Sequence, residues 1–308
     1  MNSQKPNNSI PRCDYEGSQY QAEFWTAARS YEDQAERVAL RKLLPPKGRR
    51  IIEIGAGAGR LGDLYLGYDE IYLLDYAKSQ MEQARARWGN DPRFVFVQGD
   101  IYDLPFPTGY FDTVVTVRVL HHVKQLAAAL NEVARITAPR GIYVTEFANK
   151  RNAKAIMRYA LRKGKPGENP FSLEPFEFVP LNIDHHPRHM RRELEQARFT
   201  IQRELAASFF RVPVLKRFVP AKLLAGIDGL LQGVAAPLRF TPSIFLRTRL
   251  AKNEEDHGAK WRCPRCHKSE FLSGPDGLRC QGCEQYYPHR DGIYLFRTEE
   301  SSEENSLA

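Results

Sequence analysis

The feature that most constrains the fold is an apolar run that ends in three closely spaced glycines, Ile51-Ile52-Glu53-Ile54-Gly55-Ala56-Gly57-Ala58-Gly59. The apolar run predicts a buried strand of a parallel sheet. The glycines predict a tight turn in which the backbone approaches a ligand closely, although a glycine loop alone is also compatible with an ordinary strand-to-helix turn. An acidic residue, Glu53, lies just before this turn.

A second acidic residue, Asp75, ends the next apolar run and lies twenty residues after Gly55. This is the distance expected for an acid that binds the ribose hydroxyls of a nucleotide cofactor. The glycines alternate as G-x-G-x-G, whereas the dinucleotide fingerprint is G-x-G-x-x-G. Glu53 would be a poor neighbour for a pyrophosphate and a good one for an ammonium group and a sulfonium. The pattern therefore favours S-adenosylmethionine over a nicotinamide dinucleotide.

Strand and helix patterns alternate through the following hundred residues. Further strands are predicted at Phe94–Val97 and Thr113–Val117, then a helix from about Lys124 to Thr137, and a strand from Ile142. Ser79-x-x-Glu82 predicts a capping box for the helix after the second strand. The alternation predicts an α/β fold, a doubly wound and mostly parallel sheet with helices on both faces.

In this order, the motifs resemble those of the class I S-adenosylmethionine-dependent methyltransferases of type 11, over about residues 30 to 205. The matching segments are Glu53–Gly59, Leu74-Asp75, Gly99-Asp100-Ile101, Phe111-Asp112, Leu120-His121-His122 and the turn Pro139-Arg140-Gly141. The resemblance implies a Rossmann-like sheet with an antiparallel last strand, for which Ser243–Leu250 is the candidate.

The resemblance also implies a set of cofactor-binding residues, which are Glu53, Gly55, Ala56, Gly57, Asp75, Tyr76, Asp100, Ile101 and Arg118. Glu53 and the backbone of the glycine loop would face the methionine part of the cofactor. Asp75 would accept hydrogen bonds from both ribose hydroxyls, with Tyr76 beside the adenine. Asp100 would accept one from the adenine amino group, with Ile101 against the ring.

Arg118, His121 and His122, which follow the fourth strand, complete the candidate site. By the same resemblance, Arg118 would lie near the methionine end of the cofactor. His121 and His122 follow near the expected position of the methyl group. Either histidine is a candidate general base, which is needed only if the acceptor must lose a proton. No other residue carries a catalytic signal.

Four of the five cysteines form two C-x2-C pairs that thirteen residues separate, Cys263 with Cys266 and Cys280 with Cys283. This arrangement predicts a tetrahedral, structural zinc site; a pair of disulfides is the alternative. The segment resembles small zinc-ribbon proteins that accompany methyltransferases, and also the zinc finger of bacterial ribosomal-RNA guanine methyltransferases, which precedes the catalytic domain. Cys13 is predicted to be an inert free thiol.

The chain is divided by composition into several predicted units. These are a disordered N-terminus (1–20), a methyltransferase domain (21–250) that begins with a helix from Glu23 to Leu44 and contains insertions at 149–187 and 209–242, a linker (251–260), a zinc ribbon (261–297) and an acidic disordered tail (298–308).

The two insertions each leave two interpretations open. The first is basic and then rich in proline and phenylalanine, so it is either a lid over the acceptor pocket or a solvated helix and loop. In the second, Leu223, Ile227, Leu230 and Val234 recur at helical spacing and predict an amphipathic helix. That helix either packs on the core or makes peripheral contact with a membrane.

No signal-peptide pattern and no apolar run long enough for a transmembrane helix is present, so the chain is expected to be cytoplasmic. The net charge of +8 is compatible with a solvated surface, with RNA and with anionic lipid. We expect a methyltransferase that acts on a small-molecule or lipid-like acceptor. The alternatives are RNA methylation that uses the zinc ribbon, and a non-catalytic partner of another methyltransferase.

Overall fold

The computed structural model of the chain describes residues 10–18, 29–251 and 259–297. The predicted disorder at 1–9, most of the predicted linker, the acidic tail and the start of the first predicted helix lie outside these residues. Residues 10–18 do not meet the expectation of disorder, because they pack across one edge of the sheet.

The helices and strands follow the predicted alternation through the core. In chain order they are α1 (Ser30–Leu43), β1 (Gly48–Ile54), β2 (Tyr68–Asp75), α2 (Lys78–Trp88), β3 (Phe94–Gln98), β4 (Phe111–Thr116), α3 (Leu126–Ile136), β5 (Thr137–Ala148), α4 (Ala153–Ala160), β6 (Phe176–Val179), β7 (Asn182–Asp184), α5 (Pro187–Gln196), β8 (Phe199–Ala207), α6 (Pro213–Phe218), α7 (Ala221–Val234), β9 (Ser243–Leu250), β10 (Phe271–Gly274), β11 (Gly277–Cys280), β12 (Tyr286–Arg290) and β13 (Ile293–Leu295).

Eleven strands of the described chain form one sheet, in the order β10-β11-β12-β13-β3-β2-β1-β4-β5-β9-β8. Strands β1 to β5 are parallel, and β9 lies antiparallel between β5 and β8. The central strand β1 has β2 on one side and β4 on the other, so the strand order reverses there. This is the predicted Rossmann-like fold with an antiparallel strand, and open α/β sheets bind ligands at such a reversal point.

Two apolar cores hold the sheet, one on each face. Alternate residues of β1 point to opposite faces, so Ile51 belongs to the core that contains Leu40 of α1 and Met81 of α2. Ile52 belongs to the other core, with Val133 of α3 and residues of α5. Because both faces are covered, the central strands are apolar on both sides.

The strand predicted to begin at Ile142 begins at Thr137 instead. The turn predicted at Pro139-Arg140-Gly141 is an irregularity inside β5. There Arg140 has a φ of 59°, and the register with β4 shifts between Phe111 and Thr113. The Pro-Arg-Gly pattern correctly predicted an irregular backbone conformation at this point. It was wrong about the boundary of the strand, because pairing with β4 continues on both sides of the irregularity.

The capping box predicted at Ser79 is not formed, because α2 already begins at Lys78. The carboxylate of Glu16 accepts hydrogen bonds from the backbone N–H groups of Lys78 (2.7 Å) and Ser79 (3.1 Å). The Ser79 hydroxyl accepts one from the N–H of Gly17 at 2.9 Å. A negative charge at a helix N-terminus is favourable, so the N-terminal segment supplies the cap from sixty residues away.

The ribbon extends the main sheet instead of forming a separate body. β13 pairs in parallel with the edge strand β3, with Tyr294 opposite Val97, and the N–H of Phe296 donates to the carbonyl of Gln98 at 2.9 Å. Trp261 stacks on Phe106 of the core at 5.5 Å between ring centroids. Among the described residues, no helix is both long enough and apolar enough to cross a bilayer.

Candidate active site

A crevice opens at the carboxyl ends of β1, β2, β3 and β4. All nine predicted cofactor-binding residues line it, which are Glu53, Gly55, Ala56, Gly57, Asp75, Tyr76, Asp100, Ile101 and Arg118. His122 lines it as well, whereas His121 does not. The residues come together because parallel strands bring their carboxyl ends to one edge of the sheet.

The glycine loop is tied to β2 and requires glycine. The N–H groups of Gly55 and Ala56 donate to the carbonyl of Leu74, at 2.7 and 3.0 Å. Gly55 and Gly57 have φ values of 72° and 52°, which residues with a side chain adopt only at a cost. A Cβ atom on Gly55 would lie 2.3 Å from Cγ2 of Val119. The loop is therefore held close against the segment that follows β4.

Glu53 is a buried carboxylate without a hydrogen-bond partner for one oxygen. Its side chain is at the crevice, the residue is 3% exposed, and Oε2 has no partner among the described residues. Burial raises the pKa of the Glu53 carboxyl to about 8, although the positive charge of Arg60 opposes this shift. An unpaired buried acceptor is costly unless a ligand satisfies it. The site therefore suits a cationic ligand and fits S-adenosylmethionine.

This burial predicts proton release on cofactor binding. A cation beside Glu53 stabilises the carboxylate and lowers its pKa, so binding at pH 7 should release about one proton and the affinity should rise between about pH 6 and 8. Titration calorimetry in two buffers with different ionisation enthalpies measures the number of protons. The variant Glu53→Gln keeps the shape and should release none; equal release by both proteins would contradict the prediction.

Asp75 is fixed at the entrance to the loop. Its Oδ2 accepts a hydrogen bond from the N–H of Gly57 at 2.8 Å, and its Oδ1 accepts one from the N–H of Ala77 at 3.1 Å. A carboxylate has about four acceptor positions, so each oxygen keeps capacity for a ligand hydroxyl. The backbone bonds orient Asp75 before any ligand is bound.

Arg118 has a φ of 60°, in the left-handed region that few non-glycine residues adopt. Its Nε donates to the buried carboxylate of Glu36 at 2.8 Å, and its backbone N–H donates to Oε2 of Glu146 at 3.1 Å. Glu36 also pairs with Arg60 at 3.0 Å. Two carboxylates thus hold Arg118 beside the methionine end of the predicted cofactor position, and its charge is already partnered there.

The N-terminal segment forms one wall of the crevice, which the sequence analysis did not predict. Arg12 donates to the carboxylate of Asp100 at 2.8 Å, and Pro11, Cys13 and Tyr15 also line the crevice. Cys13 was predicted to be an inert thiol in a disordered region. No local signal identifies these residues, because their partners lie far along the chain and the segment has no periodic pattern.

The two candidate histidines have different surroundings. The ring of His122 contacts the hydroxyl of Tyr15 through Nε2 at 3.1 Å and the carbonyl of Leu181 through Nδ1 at 2.6 Å. Since a carbonyl only accepts, Nδ1 carries the proton and Nε2 is the acceptor. Nδ1 of His121 is buried without a partner among the described residues. Burial lowers the pKa values of both rings, so they are neutral at pH 7.

The four predicted metal ligands converge. The Sγ atoms of Cys263, Cys266, Cys280 and Cys283 all lie within 4.8 Å of one another. Two of the pairs are 3.6 and 3.4 Å apart, which is too long for a disulfide bond of about 2.05 Å. Four thiolates around one Zn²⁺ at about 2.3 Å would be about 3.8 Å apart. The cluster therefore fits a tetrahedral metal ion with no open coordination position.

The last described residue of the ribbon reaches the crevice. The guanidinium of Arg297 lies 3.9 Å from the ring centroid of Tyr76 and 3.0 Å from the carboxylate of Asp14. Tyr76 is the residue that the family resemblance places beside the adenine. The ribbon thus supports the same wall of the crevice as the N-terminal segment.

Comparison with known proteins agrees with the fold. Residues 52–145 match the family described as methyltransferase domain. Among curated relatives, the demethylmenaquinone methyltransferase of Clavibacter sepedonicus is 34% identical over 119 residues, which are 38% of this chain and 49% of that protein. The fatty-acid O-methyltransferase of Mycolicibacterium smegmatis is 36% identical over 109 residues, 34% of this chain and 39% of that protein.

Two solved structures share the fold at low sequence identity. One is a complex between the Haloferax volcanii Trm112 methyltransferase activator and a putative methyltransferase, with a TM-score of 0.52 and 14% identity, covering 82% of this chain and all of that chain. The other is a possible histamine N-methyltransferase from Thermotoga maritima, with a TM-score of 0.51 and 18% identity, covering 74% and 94%.

Residues 52–145 therefore match a methyltransferase domain, on a fold that solved methyltransferase structures share. The match spans about half the length, or less, of the curated relatives named above. The match to the methyltransferase-domain family covers the glycine loop, Asp75 and Asp100, and it ends at Thr145, before both insertions.

Proposed function

We propose that the chain transfers a methyl group from S-adenosylmethionine to a small-molecule or lipid-like acceptor. The observation that carries this proposal is the buried carboxyl of Glu53 beside the glycine loop, one oxygen of which has no hydrogen-bond partner among the described residues. Together with Asp75 and Asp100 in the same crevice, it suits a ligand with a cationic end and hydroxyl and amino donors. A pyrophosphate would gain no charge stabilisation from Glu53.

The acceptor class is supported by the names of the relatives. These proteins methylate, by their names, demethylmenaquinone, malonyl-acyl-carrier protein and fatty acids. The first and third acceptors are apolar or long-chain compounds. In this chain, both insertions carry apolar side chains and follow strands that end at the same edge of the sheet as β1 and β4. We infer that the insertions form the acceptor side of the site.

The bound cofactor would supply a methyl group that is already electrophilic. The chain has to hold the acceptor in line with that group and exclude water. If the acceptor must lose a proton, we assign His122 as the general base in preference to His121, because His122 lines the crevice and its Nε2 is an acceptor. Tyr15, which contacts Nε2, would have to move aside for the acceptor.

The site predicts a strong dependence of cofactor binding on Asp75. Asp75→Ala removes two loop hydrogen bonds and the acceptor for the ribose, so affinity for S-adenosylmethionine should fall by about 1 kcal/mol or more, about fivefold to tenfold at least. Titration calorimetry measures this. The control is Asp69→Ala, which removes an exposed carboxylate at the other end of β2 and should leave the affinity unchanged. Folded wild-type protein that binds no S-adenosylmethionine would refute the proposed function.

We further propose that the cysteine cluster holds one structural Zn²⁺ and that the ribbon stabilises the adenine side of the crevice through β13 and Arg297. Free cysteines at these distances suit a reducing compartment, which supports the predicted cytoplasmic location. RNA methylation and a role as a non-catalytic partner have no specific observation in their favour. One edge strand of the ribbon, β13, is paired with β3 of the same chain.

A further inference from the structure

The apolar stripe of α7 faces outward. Leu223 and Ile227 are 56% and 40% exposed, and Leu230 and Val234 are 79% and 83% exposed. The opposite face of α7 packs on α1, where the buried Asp228 accepts a hydrogen bond from Tyr31 at 2.5 Å. The helix therefore packs on the core, but through the face opposite to this stripe. A helix that presents its apolar face to the outside needs another explanation.

The neighbouring helices of the insertions share this property. In α6, Val214 and Phe218 are 67% and 76% exposed, and near α4, Met157 and Leu161 are 57% and 58% exposed. Among the described residues, every exposed large apolar side chain belongs to one of the two insertions, apart from three, which are Leu66, Leu272 and Tyr286. Exposed apolar residues are thus concentrated in the insertions.

The two insertions are in contact through residues 151–153 and 238–240. The N–H of Ala153, the first residue of α4, donates to the carbonyl of Phe240 at 2.8 Å. The side chain of Arg151 donates to the carbonyl of Leu238 at 3.3 Å and lies 5.6 Å from the ring of Phe240. We call the exposed residues of α4, α6, α7 and the 236–240 segment the apolar surface.

The apolar surface carries basic residues and almost no acidic ones. Residues 150–167 contain seven lysines and arginines and no acid, and residues 209–242 contain five and a single acid, the buried Asp228. The exposed basic residues are Lys154, Arg162, Lys163, Lys165, Arg211, Arg217 and Lys222. Apolar side chains bordered by cations suit the interface of a bilayer with anionic headgroups.

Both insertions that carry the apolar surface leave the sheet at the edge where the crevice opens. β5 and β8 run in one direction, because both pair antiparallel with β9. Their carboxyl ends lead into the first and the second insertion, at the edge where β1, β2 and β4 end in the cofactor residues. The first insertion also touches the site directly, since the carbonyl of Leu181 contacts His122.

We propose that the apolar surface docks on an anionic lipid bilayer and brings the crevice to an acceptor dissolved in that bilayer. The acceptor part of this inference rests on the proposed function; the docking part does not. A second copy of the chain is a less suitable occupant, because two such surfaces would bring like charges together. The surface attaches at an interface and does not cross the membrane.

Vesicle co-sedimentation tests the docking. The full chain should bind phosphatidylcholine vesicles that contain phosphatidylglycerol, and binding should fall steeply between low and high salt and be weak without phosphatidylglycerol. The double variant Leu230→Ser/Val234→Ser should bind at least about tenfold more weakly. The matched control is Leu272→Ser, which changes a leucine that is 58% exposed on β10, at the far end of the sheet.

Any one of the following results contradicts the docking proposal. It is overturned if vesicles are not bound, if the double variant binds as well as the wild type, or if phosphatidylglycerol has no effect. It is also overturned if the double variant only abolishes self-association in sedimentation velocity, or only abolishes binding to RNA. Calorimetry with S-adenosylmethionine on the same proteins separates the two proposals, because cofactor binding without vesicle binding refutes only the docking.

Discussion

Removal of zinc is expected to unfold the ribbon and weaken cofactor binding. A structural zinc site with four thiolate ligands contributes an apparent metal-binding free energy of about 10–16 kcal/mol, as large as the total stability of a typical domain, about 5–15 kcal/mol. Without the metal, β10 to β13 should lose their order, and β3 would become an edge strand. Since Arg297 supports Tyr76, the affinity for S-adenosylmethionine should fall as well.

Hydrogen exchange with mass spectrometry tests this before and after chelation. Residues 263–297 should lose protection, while β1, β4 and β5 keep theirs. Metal analysis should find one zinc per chain in the wild type and little in Cys263→Ser. Cys13→Ser is the control for metal content, because Cys13 is a cysteine outside the cluster. A metal-free wild type that keeps full protection in the ribbon would show that zinc has no structural role.

The substitution Gly55→Ala is expected to damage the cofactor site more than its single methyl group suggests. The new Cβ would lie 2.3 Å from Val119, and the φ of 72° is unfavourable for alanine. Strain of this kind costs about 1–3 kcal/mol. It could be relieved in two ways: the loop could move away from Leu74, or the side chain of Val119 could shift into the crevice. Affinity for S-adenosylmethionine should therefore fall at least about tenfold, or about 1.4 kcal/mol.

The control for this substitution is Gly226→Ala. Gly226 lies in α7, and a Cβ atom there has no atom within 4 Å. Alanine is favoured over glycine inside a helix by up to about 1 kcal/mol, so this variant should unfold at the same or higher denaturant concentration and bind cofactor normally. If Gly55→Ala retained wild-type affinity and stability, the loop would not be the constrained element that the structure describes.

Much of the cofactor half of the molecule could be predicted from the sequence because its signals are local. Glycine spacing reflects backbone conformations, and Gly55 and Gly57 do have positive φ values. The rule that parallel strands bring their carboxyl ends together was sufficient to place Asp75 and Asp100 in one crevice with Glu53. The two C-x2-C pairs needed only short turns to bring four sulfur atoms together.

The contacts of the N-terminal segment could not be predicted in this way. Arg12 and Asp100 are 88 positions apart, and Tyr15 and His122 are 107 positions apart. Neither pair has a periodic or compositional signal. The capping of α2 by Glu16 is a further case, since a local Ser-x-x-Glu pattern was available and the distant carboxylate was used instead.

The sequence by itself thus determined the class of fold, the conformation of the glycine loop and the convergence of the four cysteines, because each depends on neighbouring residues whose conformation or spacing is restricted. The tertiary structure decided which face of α7 points outward, that residues 10–18 close the crevice, and that β13 joins the main sheet. Helical spacing shows that a helix has an apolar face, but not what covers it. In α7 the contacts with α1 are made by Leu224, Ala225, Asp228 and Gln232 on the other face, so the predicted stripe of Leu223, Ile227, Leu230 and Val234 remains exposed.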